Sequence, residues 1–163
     1  MDTTNNNLKG KRTFFDLNKD NKPHKPLFYI GIDSGTNTGF AVWSTKQKKF
    51  VSIETMMIHQ AFECVMEYAN GFGKENIFVV VEDANKRKWY GSNANAKMQG
   101  AGSIKRDGKV WRDFLEDKEI PPEMVHPLRG GTKLDEQTFK NTTGWTERTS
   151  NHARDAAMLV INK

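Results

Sequence analysis

Cysteine is almost absent from the sequence, and long apolar runs are absent altogether. The one cysteine, Cys64, excludes an internal disulfide and a zinc cluster built on several cysteines, so we expect a reducing compartment such as the cytoplasm. No stretch is long enough to span a membrane. The N-terminal residues, MDTTNNNLKGKR, lack the apolar core of a secretory signal, so we expect neither secretion nor a membrane partner.

Acidic residues are outnumbered by basic ones, 20 to 25, which gives a formal net charge of +5. A basic balance favours a polyanionic partner such as nucleic acid, although the solvated surfaces of many proteins are equally basic. Residues 1–26 are rich in Asn and Lys and show no hydrophobic periodicity, so we predict a flexible basic arm there. Residues 27–163 have the length of one domain with a core of its own.

The stretch from Leu27 to Ser44, LFYIGIDSGTNTGFAVWS, is apolar at both ends and turns through glycines in the middle. It predicts a strand over 27–32, a tight turn over 34–37 in which Gly35 can take a positive φ, and a returning strand over 39–44. Asp33 follows directly after the first strand. An ionised carboxylate at this point is costly to bury without a cation or hydrogen bonds, which favours a ligand site. An Asp that only caps the turn is the simpler alternative.

A second apolar strand also ends in carboxylates. After a third strand over 50–55 and an amphipathic helix over 58–70, residues 77–81 have the pattern of a buried strand followed by Glu82 and Asp83. A crossover helix between two strands predicts that they are parallel, with their carboxyl ends at one edge of the sheet. Asp33 and Glu82 would then face each other.

The segment over 84–95, ANKRKWYGSNAN, combines three consecutive cations with two aromatic residues. Basic residues among aromatics are typical of surfaces that follow a nucleic-acid backbone and stack an exposed base. The alternative is a charged loop whose Trp89 packs onto the core. Beyond it we predict a long helix over about 95–115, whose apolar excess includes Val110 and Phe114, a strand over 124–128, and a helix over 135–142 that stops at Gly144.

The last segment, TSNHARDAAMLVINK, predicts a helix that includes 153–160 and is capped by Ser150 or Asn151. His152 and Asp155 are three residues apart and therefore share one face near the start of this helix. A His beside an Asp is usually a hydrogen-bonded pair and nothing more. Here the helix would bring an acid next to two others, and carboxylates that close require divalent cations.

Three motifs resemble those of RuvC-type Holliday junction resolvases, in particular the small RuvC-like resolvases of bacteriophages. IGIDSGTNTGFAV is similar to their first motif, VVVED to their second and HARDAAMLV to their last, and the similarity extends over 27–162. The resemblance implies an RNase H-like α/β fold, with a five-stranded mixed sheet of three antiparallel and then two parallel strands flanked by helices. It also implies Asp33, Glu82 and Asp155 as catalytic metal ligands, with His152 beside them to ligate a metal, orient the attacking water or accept its proton. It likewise implies that Lys133 and Lys140 are near the scissile phosphate.

By the same resemblance the cofactor is Mg²⁺, with two ions per active site and Mn²⁺ as a substitute, and the partners are branched DNA and a second copy of the chain. The homodimer follows because a two-fold symmetric junction needs two matched cuts. The bacterial enzymes carry an aromatic residue where this chain has Asn85, and Trp89 or Tyr90 is the candidate to stack on a base instead. The residues expected to contact DNA are Lys86, Arg87, Lys88, Trp89, Tyr90, Lys105, Arg106 and Lys140.

Two other classes of function remain open from the sequence. A nuclease of the same fold would act on other branched DNA or on RNA–DNA hybrids. A non-catalytic nucleic-acid-binding module or a nucleotide-binding protein would share single motifs, since sugar kinases, actin and related ATPases have a similar Gly-rich turn that approaches a phosphate. Those ATPases need two such domains, and 163 residues leave room for one.

Overall fold

The computed structural model describes residues 24–83, 94–127 and 134–163, and only the backbone of residues 94–105. Its centre is a five-stranded sheet in the order β3-β2-β1-β4-β5. The strands are β1 (Phe28–Asp33), β2 (Asn37–Ser44), β3 (Lys49–Met57), β4 (Ile77–Glu82) and β5 (Glu123–Val125). The helices are α1 (Ile58–Phe72), α2 (Ala94–Asp117), α3 (Glu136–Thr143) and α4 (Asn151–Met158).

The strands pair as the sequence predicts. β1 and β3 each run antiparallel to β2, while β4 lies parallel to both β1 and β5. This confirms an α/β fold with a mixed five-stranded sheet. The last strand is shorter than predicted, because only Glu123 to Val125 pair with the end of β4. The predicted arm over 1–26 lies almost wholly outside the described residues.

The sheet has an apolar core on each face, because alternate residues of a strand point to opposite sides. On one face, Ile30 and Ile32 pack with residues of α1 and α2 that include Trp111, which is fully buried. On the other face, Val80 packs with residues of α3 and α4 that include Ala156. Residues an even number of positions apart along a strand point to the same face. Asp33 and Glu82 are each an even number of residues from residues of their own strand that pack in the second core, so both lie on this second face.

The helix ends follow from their capping residues. The Ser150 side chain accepts a hydrogen bond from the backbone N–H of Ala153 and caps α4, as predicted. Asp135 caps α3 in the same way, and this backbone hydrogen bond from Thr138 lowers the pKa of its carboxyl. Gly144 ends α3 with a φ of 72°, in the left-handed region that glycine favours, which confirms the predicted stop.

The turn after Asp33 lies where the sequence predicts it, between the end of β1 and the start of β2, but it does not use the positive φ that Gly35 permits. Among the described residues, the glycines with positive φ are Gly73 and Gly144, so Gly35 does not adopt the left-handed conformation. The Thr38 hydroxyl instead donates a hydrogen bond of 2.6 Å to the Gly35 carbonyl and closes the turn. Thr38 is fully buried, which fixes the start of β2.

The apolar excess on the helix over about 95–115, which we expect to contribute to the contact of a homodimer, is only partly exposed on α2. Val110 is exposed, but Phe114 packs within the chain, with its ring stacked on Phe62 at a centroid distance of 4.2 Å. Phe114 is therefore partly buried against α1, so of these two residues Val110 is the exposed one, and the dimer contact stays a prediction. In the part of the chain that the structure describes, no helix has the length and apolar character needed to cross a bilayer.

Candidate active site

Two acids lie side by side where β1 and β4 end. Ile32 pairs with Val81 in the parallel register, so the next position along each strand brings Asp33 and Glu82 next to each other. Both lie on the face of the sheet that α4 covers. We use the name acidic edge for Asp33 and Glu82 at the strand ends together with Asp155 of α4, the helix that covers this face.

Helix α4 reaches the acidic edge because two glycines lie beneath it. A Cβ atom built on Gly39 would lie 2.0 Å from the backbone oxygen of His152, and one built on Gly31 would lie 2.1 Å from that of Ala156. Neither position therefore has room for a larger residue. The backbone of α4 rests directly on β1 and β2, which places the start of the helix above Asp33.

His152 is in direct contact with Asp33. Its Nδ1 atom lies 2.7 Å from Oδ2 of Asp33, whose residue exposure is only 9%. An ionised Asp33 can only accept, so Nδ1 carries the proton and a neutral ring keeps its lone pair on Nε2. The His152 side chain is 56% exposed, so it bridges a buried carboxylate and the solvent.

Asp155 lies one helical turn beyond His152 and is 4% exposed. Over residues 24–83, 94–127 and 134–163, no group of three or more His, Cys, Asp and Glu side chains is arranged to hold a metal ion. The structure thus joins Asp33 to His152 but does not gather Glu82 and Asp155 with them into a metal-binding group. Carboxylate oxygens and an imidazole are nevertheless the donors that suit Mg²⁺ or Mn²⁺, so the donor set fits in kind.

The neighbouring acid Asp83 has a different environment. It lies on the opposite face from Glu82, is 2% exposed, and pairs with Arg112, whose Nη2 is 2.9 Å from its Oδ2. Its backbone N–H also donates a hydrogen bond to the carbonyl of Val125. Of the two acids that end β4, Glu82 is therefore the one that lies on the face covered by α4.

Only some of the residues predicted to contact DNA lie in the part of the chain that the structure describes. Arg106 is exposed on α2, and its Nε is 4.0 Å from Oδ1 of Asp107. Lys140 forms a 3.0 Å ion pair with Glu136 on α3, and this hydrogen bond lowers the pKa of the Glu136 carboxyl. Lys140 therefore already has an anionic partner within the chain. Outside the described residues lie Lys86, Arg87, Lys88, Trp89, Tyr90 and Lys133, together with the side chain of Lys105.

Some residues that shape the site were not identified from the sequence. Gly31 and Gly39 had a signal, because a glycine inside a strand often marks a close approach of another backbone. No sequence pattern indicated the role of Arg154, which is buried next to Asp155 in the chain. Its Nε donates a hydrogen bond to the carbonyl of Leu134, and its Nη1 donates one to the carbonyl of Thr149. These bonds fasten α4 to the chain on either side of α3.

Comparisons with known proteins add no relative. The sequence matches no protein-family model, and a search of curated proteins gives no match either. The resemblance to RuvC-type resolvases therefore rests on the three quoted motifs, and membership of that family stays a proposal.

Proposed function

We propose that the protein is a metal-dependent endonuclease that cuts four-way or otherwise branched DNA, built on an RNase H-like fold. The observation that carries the proposal is the acidic edge. Asp33 and Glu82 end adjacent parallel strands, and α4 covers the same face with His152 in contact with Asp33 and Asp155 one turn further. The three motifs that resemble those of the resolvases supply these four residues.

The packing of α4 removes one of the two glycines of the turn after Asp33 from any contact with a phosphate. In phosphate-binding turns, glycines leave the backbone open so that a phosphate can approach it. Here the space above Gly39 is filled by the backbone of His152, so Gly39 serves the contact between helix and sheet. Gly35 keeps space around it, and the nucleotide-binding alternative therefore has one glycine of the turn left to it.

Asp33, Glu82 and Asp155 would hold two Mg²⁺ ions, and His152 would either hold an ion with them or handle the proton of the attacking water. Bound ions of this kind lower the pKa of a water molecule and neutralise charge on the leaving oxygen. The chain itself orients Asp33 through the hydrogen bond from His152. The same imidazole is accessible to solvent and can accept a proton from an attacking water.

The DNA would be bound by cations outside the acidic edge. The net charge of +5 favours a polyanion, and the side chain of Arg106 is 74% exposed. Lys86, Arg87 and Lys88 would contact the backbone, and Lys133 would stabilise charge on the scissile phosphate. A homodimer, a bacteriophage origin and action in the bacterial cytoplasm complete the proposal.

Nicking of a labelled four-way junction tests this function. The protein is incubated with the junction, a linear duplex of the same sequence and an RNA–DNA hybrid, each with Mg²⁺ or with EDTA. We expect cleavage of the junction that needs Mg²⁺ and exceeds cleavage of the linear duplex. The Asp33→Asn protein, purified in the same way, is the control for a contaminating nuclease.

Preferential cleavage of the hybrid would favour the alternative nuclease of the same fold. No cleavage of any substrate with Mg²⁺ or Mn²⁺ would contradict the proposed function.

A further inference from the structure

An ion pair between a buried carboxylate and a partly exposed guanidinium lies directly behind the acidic edge. Asp83 follows Glu82 in the chain, and its carboxylate is 2.9 Å from Nη2 of Arg112 on α2. Its backbone N–H donates a 2.8 Å hydrogen bond to the carbonyl of Val125. The residue after Glu82 is thus held through both its side chain and its backbone.

The residue after Asp33 is held at the same place. Ser34 is 8% exposed, and its hydroxyl donates a 3.0 Å hydrogen bond to the backbone carbonyl of Glu82. This bond joins the ends of β1 and β4 beyond Ile32 and Val81, the last pair in their register. The relative position of Asp33 and Glu82 therefore depends on contacts made by their neighbours.

Helix α2 approaches both neighbours closely. A Cβ atom built on Gly108 would lie 3.4 Å from Oδ1 of Asp83 and 3.8 Å from Oγ of Ser34. Gly108 and Arg112 are four residues apart and so share one face of the helix. This face of α2 packs against the strand ends from the side opposite α4.

We propose that Arg112, acting through Asp83, is a positioning residue for the acidic edge; the proposal rests on the proposed function. Asp83 is the residue next to Glu82 in the chain. The guanidinium of Arg112 compensates the negative charge of Asp83 and keeps the Asp83 carboxylate on the α2 side of the sheet. Ser34 completes the arrangement by fixing the end of β1 to that of β4. Removing a residue that contacts a metal ligand commonly costs about 10- to 100-fold in metal affinity, and because Arg112 acts one residue further away, through Asp83, its effect should lie at the lower end of that range.

Binding of Mn²⁺ to Arg112→Ala, followed by the electron paramagnetic resonance signal of the free ion, tests the proposal without relying on turnover. We expect its affinity to fall by about tenfold relative to wild type. Arg112→Lys keeps a cation at this position and should recover most of the affinity. Lys109→Ala is the matched control, because Lys109 forms an exposed ion pair with Asp113 on the same helix.

Junction nicking is measured on the same variants at a temperature below their melting transitions. We expect kcat to fall with Mn²⁺ affinity in Arg112→Ala and to recover in Arg112→Lys. If Arg112→Ala does not fold, Ser34→Ala replaces it, since that change removes one hydroxyl and should weaken Mn²⁺ binding in the same direction.

The outcomes separate the two proposals. A wild-type protein that binds Mn²⁺ and nicks the junction, beside a folded Arg112→Ala or Ser34→Ala with unchanged affinity, would overturn the positioning role alone. A wild-type protein that neither binds Mn²⁺ nor nicks the junction would overturn the proposed function and the positioning role with it.

Discussion

The two ends of β1 and β4 differ sharply in chemistry. At the carboxyl ends lie Asp33 and Glu82, with α4 above them. At the amino ends is an apolar cavity of about 510 Å³, which we call the apolar end. It is lined by His24, Pro26, Tyr29, Lys74, Glu75, Ile77, Phe78, Glu119, Ile120 and Pro121.

The apolar end has little chemistry of its own. Tyr29 and Phe78 lie side by side with ring centroids 5.4 Å apart. Burial, and after it the charge of Glu123, raises the pKa of Tyr29, so its hydroxyl stays neutral near pH 7. Lys74 and Glu119 form an exposed ion pair with each other. The comparison teaches that a cavity need not coincide with a proposed reacting site, since the acids proposed for metal chemistry lie at the other end of the same strands.

Neutralising the acidic edge should produce the largest effect. Asp33→Asn, Glu82→Gln and Asp155→Asn each replace a charged oxygen by an amide of nearly the same volume. We expect each to abolish junction nicking while the melting temperature changes little, because ligand charge is lost but packing is kept. Nicking and thermal unfolding are measured together, with the exposed Asp113→Asn as a control. Near-normal nicking by any of the three would remove that residue from the site.

Filling the space under α4 should produce the next largest effect. A Cβ on Gly39 would meet the backbone oxygen of His152 at 2.0 Å, and backbone cannot yield as a side chain can. We expect Gly39→Ala to lower the free energy of unfolding by about 3 kcal/mol. It should also slow nicking, because α4 carries His152 and Asp155.

Gly71→Ala is the matched control for that change, since nothing lies within 4 Å of a Cβ built at Gly71 on α1. It should raise the free energy of unfolding by up to about 1 kcal/mol, because alanine favours helix. Urea unfolding measures both variants. A Gly39→Ala protein as stable as wild type would show that α4 does not rest on β2 in this way.

Much of this architecture could be predicted from the sequence, for reasons that individual residues show. The apolar strands, the cap at Ser150 and the stop at Gly144 depend on local pattern, and local pattern is what a sequence displays. Pairing at long range is different. The contact of Asp83 with Arg112 joins residues 29 apart, and nothing in either neighbourhood indicates it.

The faces of the strands were also hard to predict. In the run VVVED every position is apolar before the acids, so there is no alternation to show which acid lies on which face. The strand register and the residues of the two cores show that Glu82 and Asp83 lie on opposite faces of the sheet. The backbone conformation of Gly35 was hard to predict for a related reason: glycine permits a positive φ but does not require it.

A change at the apolar end should show the opposite pattern to the acid variants. Phe78→Ala removes a ring that packs on Tyr29. A fully buried Phe costs roughly 3 to 5 kcal/mol when truncated, and the partial exposure of Phe78 reduces this to about 2 kcal/mol. Turnover below the melting transition should be unchanged. Loss of nicking in a stable Phe78→Ala protein would contradict the division between the two ends.

The smallest expected effect concerns the cations proposed to bind DNA. Lys86→Ala with Arg87→Ala should weaken junction binding and reduce the slope of log affinity against log salt by about two, if each residue neutralises one phosphate. Lys46→Ala with Lys49→Ala removes the same charge from the turn between β2 and β3, which lies at the amino end of β1. That control should leave the slope unchanged. Equal slopes for the two double variants would show that the place of the removed cations does not matter and that net charge alone attracts the DNA.

The most direct test of the acidic edge is the anomalous scattering of Mn²⁺ in crystals of the protein grown with that ion. We predict two peaks roughly 3.5 to 4 Å apart, bounded by Asp33, Glu82 and Asp155, with His152 next to them. Crystals of Asp33→Asn grown in the same way should lose both peaks. Manganese bound elsewhere, or no peak at these residues at saturating Mn²⁺, would contradict the account.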